Sequence, residues 1–253
     1  RIDDFSIAAN VGVSTNRSYN DARGFRGGLR SISNVFDPNQ IDYGQPTAGN
    51  APVFTNSSHI TNSAFASVET GWKNMVFLTL TGREDWDSAL AHTTANPFFY
   101  PSVGLSGVIS QMAKMPKWVN YLKTRLSWAK VGSPIPAQIS SPYRYTYDPA
   151  SQSYATVTYK FPADFKPELT YSWEAGVTGK FFRNRLSLET TIYQSNTLNQ
   201  LLETDLDPGT GYKKLYVQAG NVRNRGVEMT LGFNKKFGEF DYNSSLTATA
   251  NRN

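Results

Sequence analysis

Apolar and polar residues alternate with a period of two over long stretches of the chain. In Tyr171-Ser172-Trp173-Glu174-Ala175-Gly176-Val177-Thr178 the odd positions are apolar and the even ones small or polar. Val227, Met229, Leu231 and Phe233 alternate in the same way with Glu228, Thr230, Gly232 and Asn234. Phe5, Ile7, Ala9, Val11 and Val13 do so with Ser6, Ala8, Asn10, Gly12 and Ser14, and Leu122, Thr124, Leu126 and Trp128 with Lys123, Arg125 and Ser127. Successive side chains of a strand point to opposite faces, so the pattern predicts strands with one apolar and one polar face. Nine are predicted, near 4–15, 61–71, 74–86, 99–110, 121–131, 169–182, 186–202, 225–237 and 240–252. Many exceed the ~5–6 residues of an ordinary strand and reach the ~9–11 that a tilted strand needs to cross a bilayer.

The links between them sort by length. Those after even strands are mostly tight: Trp72-Lys73, residues 111–120, Arg183-Asn184-Arg185 and Gly238-Glu239. Those after odd strands are long and polar: 16–60, 87–98, 132–168 and 203–224. Transmembrane barrels show this asymmetry, with short turns on the periplasmic side and long loops outside. A soluble sandwich has no reason to sort its loops by end. Aromatics at strand ends (Trp72, Trp86, Phe98-Phe99-Tyr100, Trp118, Tyr121, Trp128, Phe181-Phe182) fit interfacial girdles. Within 132–168, Tyr143–Tyr147 and Ala155–Tyr159 predict a small projecting hairpin.

Composition narrows the chemistry. The 253 residues contain no cysteine and two histidines, which excludes a disulfide scaffold, a thiolate metal site and a cysteine nucleophile. No apolar run approaches the ~20 residues of a spanning helix, and no signal-type start is present. Charged residues make up 18%, below the ~25% of ordinary soluble domains. The net charge of +5 comes from scattered basic residues without a Lys/Arg run, so nucleic acid is not an expected partner. No triad or nucleophile elbow surrounds His59 or His92, both expected in exposed loops, and an enzyme is not expected. Asp205 and Asp207 in Asp205-Leu206-Asp207-Pro208-Gly209 are either calcium ligands or, first of all, turn chemistry.

Several segments resemble the SusC/RagA family of TonB-linked outer-membrane transporters. Asn96-Pro97-Phe98-Phe99-Tyr100-Pro101-Ser102-Val103-Gly104-Leu105-Ser106 is similar to a recurrent barrel segment of that family, and Tyr121–Gly132 to the one that follows it. Phe165-Lys166-Pro167-Glu168 with Ser172-Trp173-Glu174-Ala175-Gly176, Gly220-Asn221-Val222-Arg223-Asn224-Arg225-Gly226-Val227-Glu228, and Arg83-Glu84-Asp85-Trp86 complete the set in the family's order. Gly107 departs from it where a bulky aromatic is common. The resemblance implies an all-β antiparallel meander, about nine strands of a plugged barrel of ~22 strands. Residues 1–253 are then expected to be an internal part of one barrel domain, without plug, signal peptide or closing strands.

It also implies function: active import of oligosaccharides or peptides across the bacterial outer membrane, beneath a SusD-like surface lipoprotein. TonB, with ExbB and ExbD, would act through N-terminal regions absent here. A receptor for siderophores or vitamins without a lid, and a soluble secreted glycan-binding sandwich, are the competing readings. Glu69, Arg83, Lys123, Arg125, Glu174, Glu189 and Glu228 lie opposite the apolar stripes. A charge facing lipid at mid-membrane costs about 2–4 kcal/mol, so they are expected to face the lumen. There they pair with a plug or one another, or touch substrate. Tyr143, Arg144, Tyr145, Tyr147 and Tyr212 are candidate contacts to substrate or lid, with packing inside the loops the alternative.

Overall fold

Long alternating runs pair with their chain neighbours because hairpins close the shortest loops. The computed structural model describes residues 4–26, 28–29, 37–41, 51–136, 145–148, 153–156, 159–160, 165–210, 212 and 214–253. Its strands are β1 (Phe5–Arg26), β2 (Ala51–Trp72), β3 (Val76–Asp87), β4 (Phe98–Val108), β5 (Val119–Ser133), β6 (Tyr145–Asp148), β7 (Ser153–Thr156), β8 (Tyr159–Lys160), β9 (Glu168–Phe181), β10 (Leu186–Asp205), β11 (Lys214–Phe237) and β12 (Phe240–Arg252). The nine long ones form one sheet in the order β1-β2-β3-β4-β5-β9-β10-β11-β12, and every adjacent pair is antiparallel. This is the predicted meander. The predicted small hairpin appears as β6 and β7, paired from Tyr145 opposite Thr156, and β8 pairs in parallel with β11.

Two predicted loops contain long stretches of strand. Residues 16–60 were expected to be a loop, but β1 and β2 stay paired as far as Arg26 opposite Ala51. Residues 203–224 likewise continue the β10–β11 ladder to Asp205 opposite Lys214. The reason is that backbone pairing needs no buried face. Segments such as Asn16–Arg23 are polar on both sides, so alternation is lost while the ladder persists.

The tight turns all fall at one end of the sheet, as predicted. Lys73 (φ 52°) and Asn74 (φ 56°) form a two-residue left-handed turn, one position later than expected, with Met75 N–H donating to the Trp72 carbonyl at 2.8 Å. Phe182, Arg183 and Asn184 are also left-handed, as is Gly238. Backbone bonds tie neighbouring turns together: Val108 N–H to Met75 O at 2.7 Å, Phe182 N–H to Trp118 O at 2.8 Å, and Asn234 N–H to Arg185 O at 2.8 Å. A single helical turn, α1 (Ile109–Met112), sits in the β4–β5 link.

Register keeps each predicted stripe on one face from β1 to β12. Ile7, Val68, Leu80, Val103, Leu126, Ala175, Ile192, Val227 and Ala250 share the apolar face. No second sheet covers it among the described residues: Val11 is 85% exposed and Leu246 62%. The face carries Trp173 and Val177 in the open, not in a closed core, which removes the sandwich reading. Two rows of aromatics bound it on β9, Trp173 toward the loops and Phe181 toward the turns. Eight residues at ~3.4 Å span about 27 Å, which a ~40° tilt reduces to about 21 Å of height, close to the ~25 Å apolar band of a barrel.

Some aromatics predicted for the girdle belong elsewhere. Tyr100 and Tyr121 have register positions on the polar face. Phe98 is buried with Ala89, Leu90, Ile135, Phe165 and Tyr216 in a small apolar cluster at the loop end. His59, expected in a loop, lies within β2; His92 is exposed in the β3–β4 loop, as expected.

Candidate functional site

All seven charged residues singled out from the sequence share the polar face. Phe77, Thr79, Thr81 and Arg83 of β3 stand opposite Ser106, Gly104, Ser102 and Tyr100 of β4, and Ser106 stands opposite Arg125 of β5. Glu69 joins through Thr79, and Glu174, Glu189 and Glu228 through Ser127, Thr178 and Thr191. Lys123 lies opposite Thr178.

The register brings three of them into one network. Arg125 donates from Nε to Glu174 Oε1 at 3.2 Å, from Nη1 to Glu189 Oε1 at 3.1 Å, and from Nη2 to Thr191 Oγ1 at 2.6 Å. The guanidinium thus lies flat across β9 to reach β10. Gly176 makes that possible: a Cβ there would stand 2.7 Å from Arg125 Nε and 2.8 Å from Cζ. The side chains of Arg125, Glu174 and Glu189 keep 37%, 43% and 55% exposure, so the network is open to a further partner. Arg125, opposite Gly176, and Glu189, opposite Thr178, flank the height of Val177, the middle of the opposite apolar band.

Toward the loops a second network forms around Arg83. Its Nε donates to Asp85 Oδ1 at 2.8 Å and its Nη2 to Ser63 Oγ at 2.7 Å, while the Tyr100 hydroxyl donates to Asp85 Oδ2. Ser63 and Asp85 are buried. Sequence reading missed Asp85, Ser63 and Thr191 as partners. The i, i+2 spacing of Arg83 and Asp85 on one strand face was a usable signal for the first. The other two depend on register, which alternation alone leaves open.

Above it Asp87, fully buried, holds the β3–β4 loop. It accepts from Thr61 Oγ1 at 2.6 Å and from Ala89 N–H at 2.8 Å, and it meets His59 Nε2 at 2.7 Å. Asn96 closes the loop by bonding both the N–H and the carbonyl of Asp87 at 3.1 Å. Glycine in a second motif has the same use as Gly176: Tyr193 lies over Gly226, where a Cβ would stand 2.6 Å from the hydroxyl and 2.8 Å from the Ala250 carbonyl. Asn251 Nδ2 then donates to the Tyr193 hydroxyl at 3.1 Å.

The remaining candidates are scattered. Glu69 accepts from Thr79 Oγ1 at 3.5 Å. Tyr143 and Arg144 lie outside the described residues, and Tyr145 and Tyr147 are placed by backbone alone on β6. Tyr212 follows the 3-10 turn Pro208–Thr210, its N–H donating to Thr210 Oγ1 at 3.3 Å. Asp207 Oδ1 accepts from Gly209 N–H at 2.7 Å, the turn chemistry expected of Asp-Pro-Gly, and Asp205 ends β10 opposite Lys214.

Comparison with known proteins agrees with this architecture. A family model described as TonB dependent receptor-like, beta-barrel, matches residues 3–253. No curated protein sequence matches the chain. Among solved structures, the RagAB peptide importer in its open-open state is similar over 98% of this chain and 27% of that one, with 19% identity and a TM-score of 0.78. The siderophore receptor PirA from Pseudomonas aeruginosa matches over 98% and 40%, with 14% identity and a TM-score of 0.55. The copper transporter OprC matches over 100% and 35%, with 16% identity and a TM-score of 0.56. The chain spans about a quarter to two fifths of the length of these structures. A nine-stranded antiparallel meander, apolar on one face and charged on the other, with turns and loops sorted by end, is the wall of a barrel; the chain belongs to the TonB dependent receptor-like β-barrel family.

Proposed function

We propose that this chain forms part of the wall of a bacterial outer-membrane transporter of the SusC/RagA type, which imports peptides or oligosaccharides beneath a surface lipoprotein. The apolar face meets lipid and the polar face lines the lumen. Arg125 and Glu189 carry this orientation, because they flank the height of the apolar band's middle. Turned toward lipid, Arg125 would cost about 2–4 kcal/mol at that depth and a glutamate less. On the lumen side their open edges are available to a plug, as in plugged barrels of this size class. No chemistry is done on the substrate. Energy comes from TonB with ExbB and ExbD, acting on parts of the receptor other than this wall.

The closer fit to RagAB than to siderophore and copper receptors supports the importer reading with a lid, and the RagAB description supports peptides as the first substrate class to test. The test is calorimetry on the full-length transporter, purified with and without a surface lipoprotein that co-purifies with it. A mixture of short peptides, a panel of oligosaccharides and a ferric siderophore serve as probes. Binding of peptides or oligosaccharides that needs the lipoprotein is expected. Tight siderophore binding without any lipoprotein would overturn the reading in favour of a metal-chelate receptor.

A further inference from the structure

On the apolar face the register aligns residues in rows that cross β5, β9, β10, β11 and β12. Leu126, Ala175, Ile192, Val227 and Ala250 form one row. Two residues nearer the loops, the next row is Trp128, Trp173, Gln194, Arg225 and Arg252. The row beyond is Lys130, Tyr171, Asn196 and Arg223. The chemistry therefore changes from aliphatic to aromatic and cationic within one step along the strands, about 7 Å.

Charge on this side of the boundary has one sign. Along the five strands, from Leu122 to Gly132, Leu169 to Phe181, Leu186 to Leu198, Asn221 to Phe237 and Phe240 to Arg252, no position on the apolar face is Asp or Glu. Arg225 and Arg252 stand directly opposite each other, a juxtaposition that destabilises a strand pair unless an anion lies between the charges. Both are exposed. Arg223, two residues along in the next row, is held by Asn196 at 3.2 Å. Beside the pair is a cavity of about 460 Å³, lined by Trp173, Gln194, Arg225, Val227, Ala250 and Arg252 together with Tyr193, Gly226 and Asn251.

We propose that this cavity is a binding site for a phosphorylated lipid of the leaflet on the loop side, with Arg225 and Arg252 flanking the phosphate and Trp173, Val227 and Ala250 meeting the acyl chains. The proposal rests on the reading that the apolar face meets lipid. A soluble anion is disfavoured because Trp173, Val227 and Ala250 line the cavity beside the arginines and it lies at the edge of the apolar band. Basic groups at this depth attract anionic headgroups by about 1 kcal/mol each, so two arginines correspond to about a thirty-fold preference.

The test uses the full-length transporter, stripped of lipid in neutral detergent and followed by native mass spectrometry. The probes are dimyristoylphosphatidic acid, dimyristoylphosphatidylcholine and inorganic phosphate. One phosphatidic acid should be retained in preference to phosphatidylcholine, and Arg225→Gln with Arg252→Gln should lower its affinity about thirty-fold. Lys235→Gln, on the same face at the turn end, should leave retention unchanged. Equal retention by the double variant, or displacement by inorganic phosphate at equal concentration, would overturn the site. The same samples run unheated on a detergent gel separate the two failures. A compact, heat-modifiable barrel that retains no phosphatidic acid refutes the lipid site alone, whereas a wild type without that species refutes the membrane reading and the site with it.

Discussion

Gly176→Ala tests whether the polar-face network was built around a missing side chain. The new Cβ would stand 2.7 Å from Arg125 Nε, 2.8 Å from Cζ and 3.0 Å from Cγ, closer than carbon contacts allow. The guanidinium would have to swing away, at little steric expense but with loss of Glu174, Glu189 and Thr191. Partly exposed ion pairs contribute about 0.2–1 kcal/mol each and a hydroxyl hydrogen bond about 0.5–1.5, so the gross loss is about 1–3 kcal/mol. Against that, Ala is favoured over Gly in a strand by about 0.5–1 kcal/mol, because Gly176 has no left-handed φ to protect. The net expectation is a destabilisation of about 0.5–2 kcal/mol.

The sign should reverse in a second background. With Arg125→Ala already in place the clash is gone, and Gly176→Ala should then stabilise by about 0.5–1 kcal/mol. Urea unfolding of the full-length barrel refolded into detergent micelles, for the wild type, both single variants and the double, gives the four corners of the cycle. If Gly176→Ala destabilises equally with and without Arg125, the glycine serves the backbone or some other neighbour and the reasoning is refuted.

Val177→Arg, between Thr124 and Thr190 on the apolar face, should destabilise by about 2–4 kcal/mol, while Thr178→Lys on the neighbouring polar position should cost under ~0.5; equal costs would remove the assignment of faces. Asp87→Ala strips partners from Thr61, His59 and Ala89, costs about 2–4 kcal/mol, and should speed hydrogen exchange in residues 88–97 more than in the β9–β10 hairpin. Replacing residues 141–160 by a short Gly/Ser linker should leave the barrel folded and weaken co-purification of the lipoprotein or uptake, because loops tolerate such changes better than strands. Unchanged co-purification and uptake would take that loop out of the mechanism.

What the sequence makes legible follows the apolar band. Inside the band one face must be apolar and the other polar, so Tyr171 to Val177 or Val227 to Phe233 reveal strand, period and face at once. Beyond it both faces meet water, and the β1–β2 ladder above Asn16 continues on backbone bonds that leave no mark in the side chains. The predicted 16–60 loop fails for this reason, and so does 203–224. The charged candidates could be sorted by face because parity does not need a partner strand. Their grouping could not, because the meeting of Arg125 with Glu189, 64 residues away, depends on how three strands are staggered.

Glycine offers a way past that limit. Gly176 and Gly226 each interrupt a strand on its polar face, where a side chain would otherwise add to the packing, and each lies inside a motif that carried the family resemblance. In the structure each sits under a large polar side chain from a neighbouring strand, Arg125 in one case and Tyr193 in the other. The glycine at the even position between Glu174 and Thr178 therefore marks that something crosses the strand there, and at Gly176 and Gly226 that something is polar. The same rule applied to Gly82, on the apolar face beneath Phe99, gives an aromatic instead. At Gly176, Gly226 and Gly82 the glycine thus marks where a neighbouring strand lays a long side chain, whereas Gly12, on the polar face beneath Phe65, shows that the face alone does not fix whether that side chain is polar.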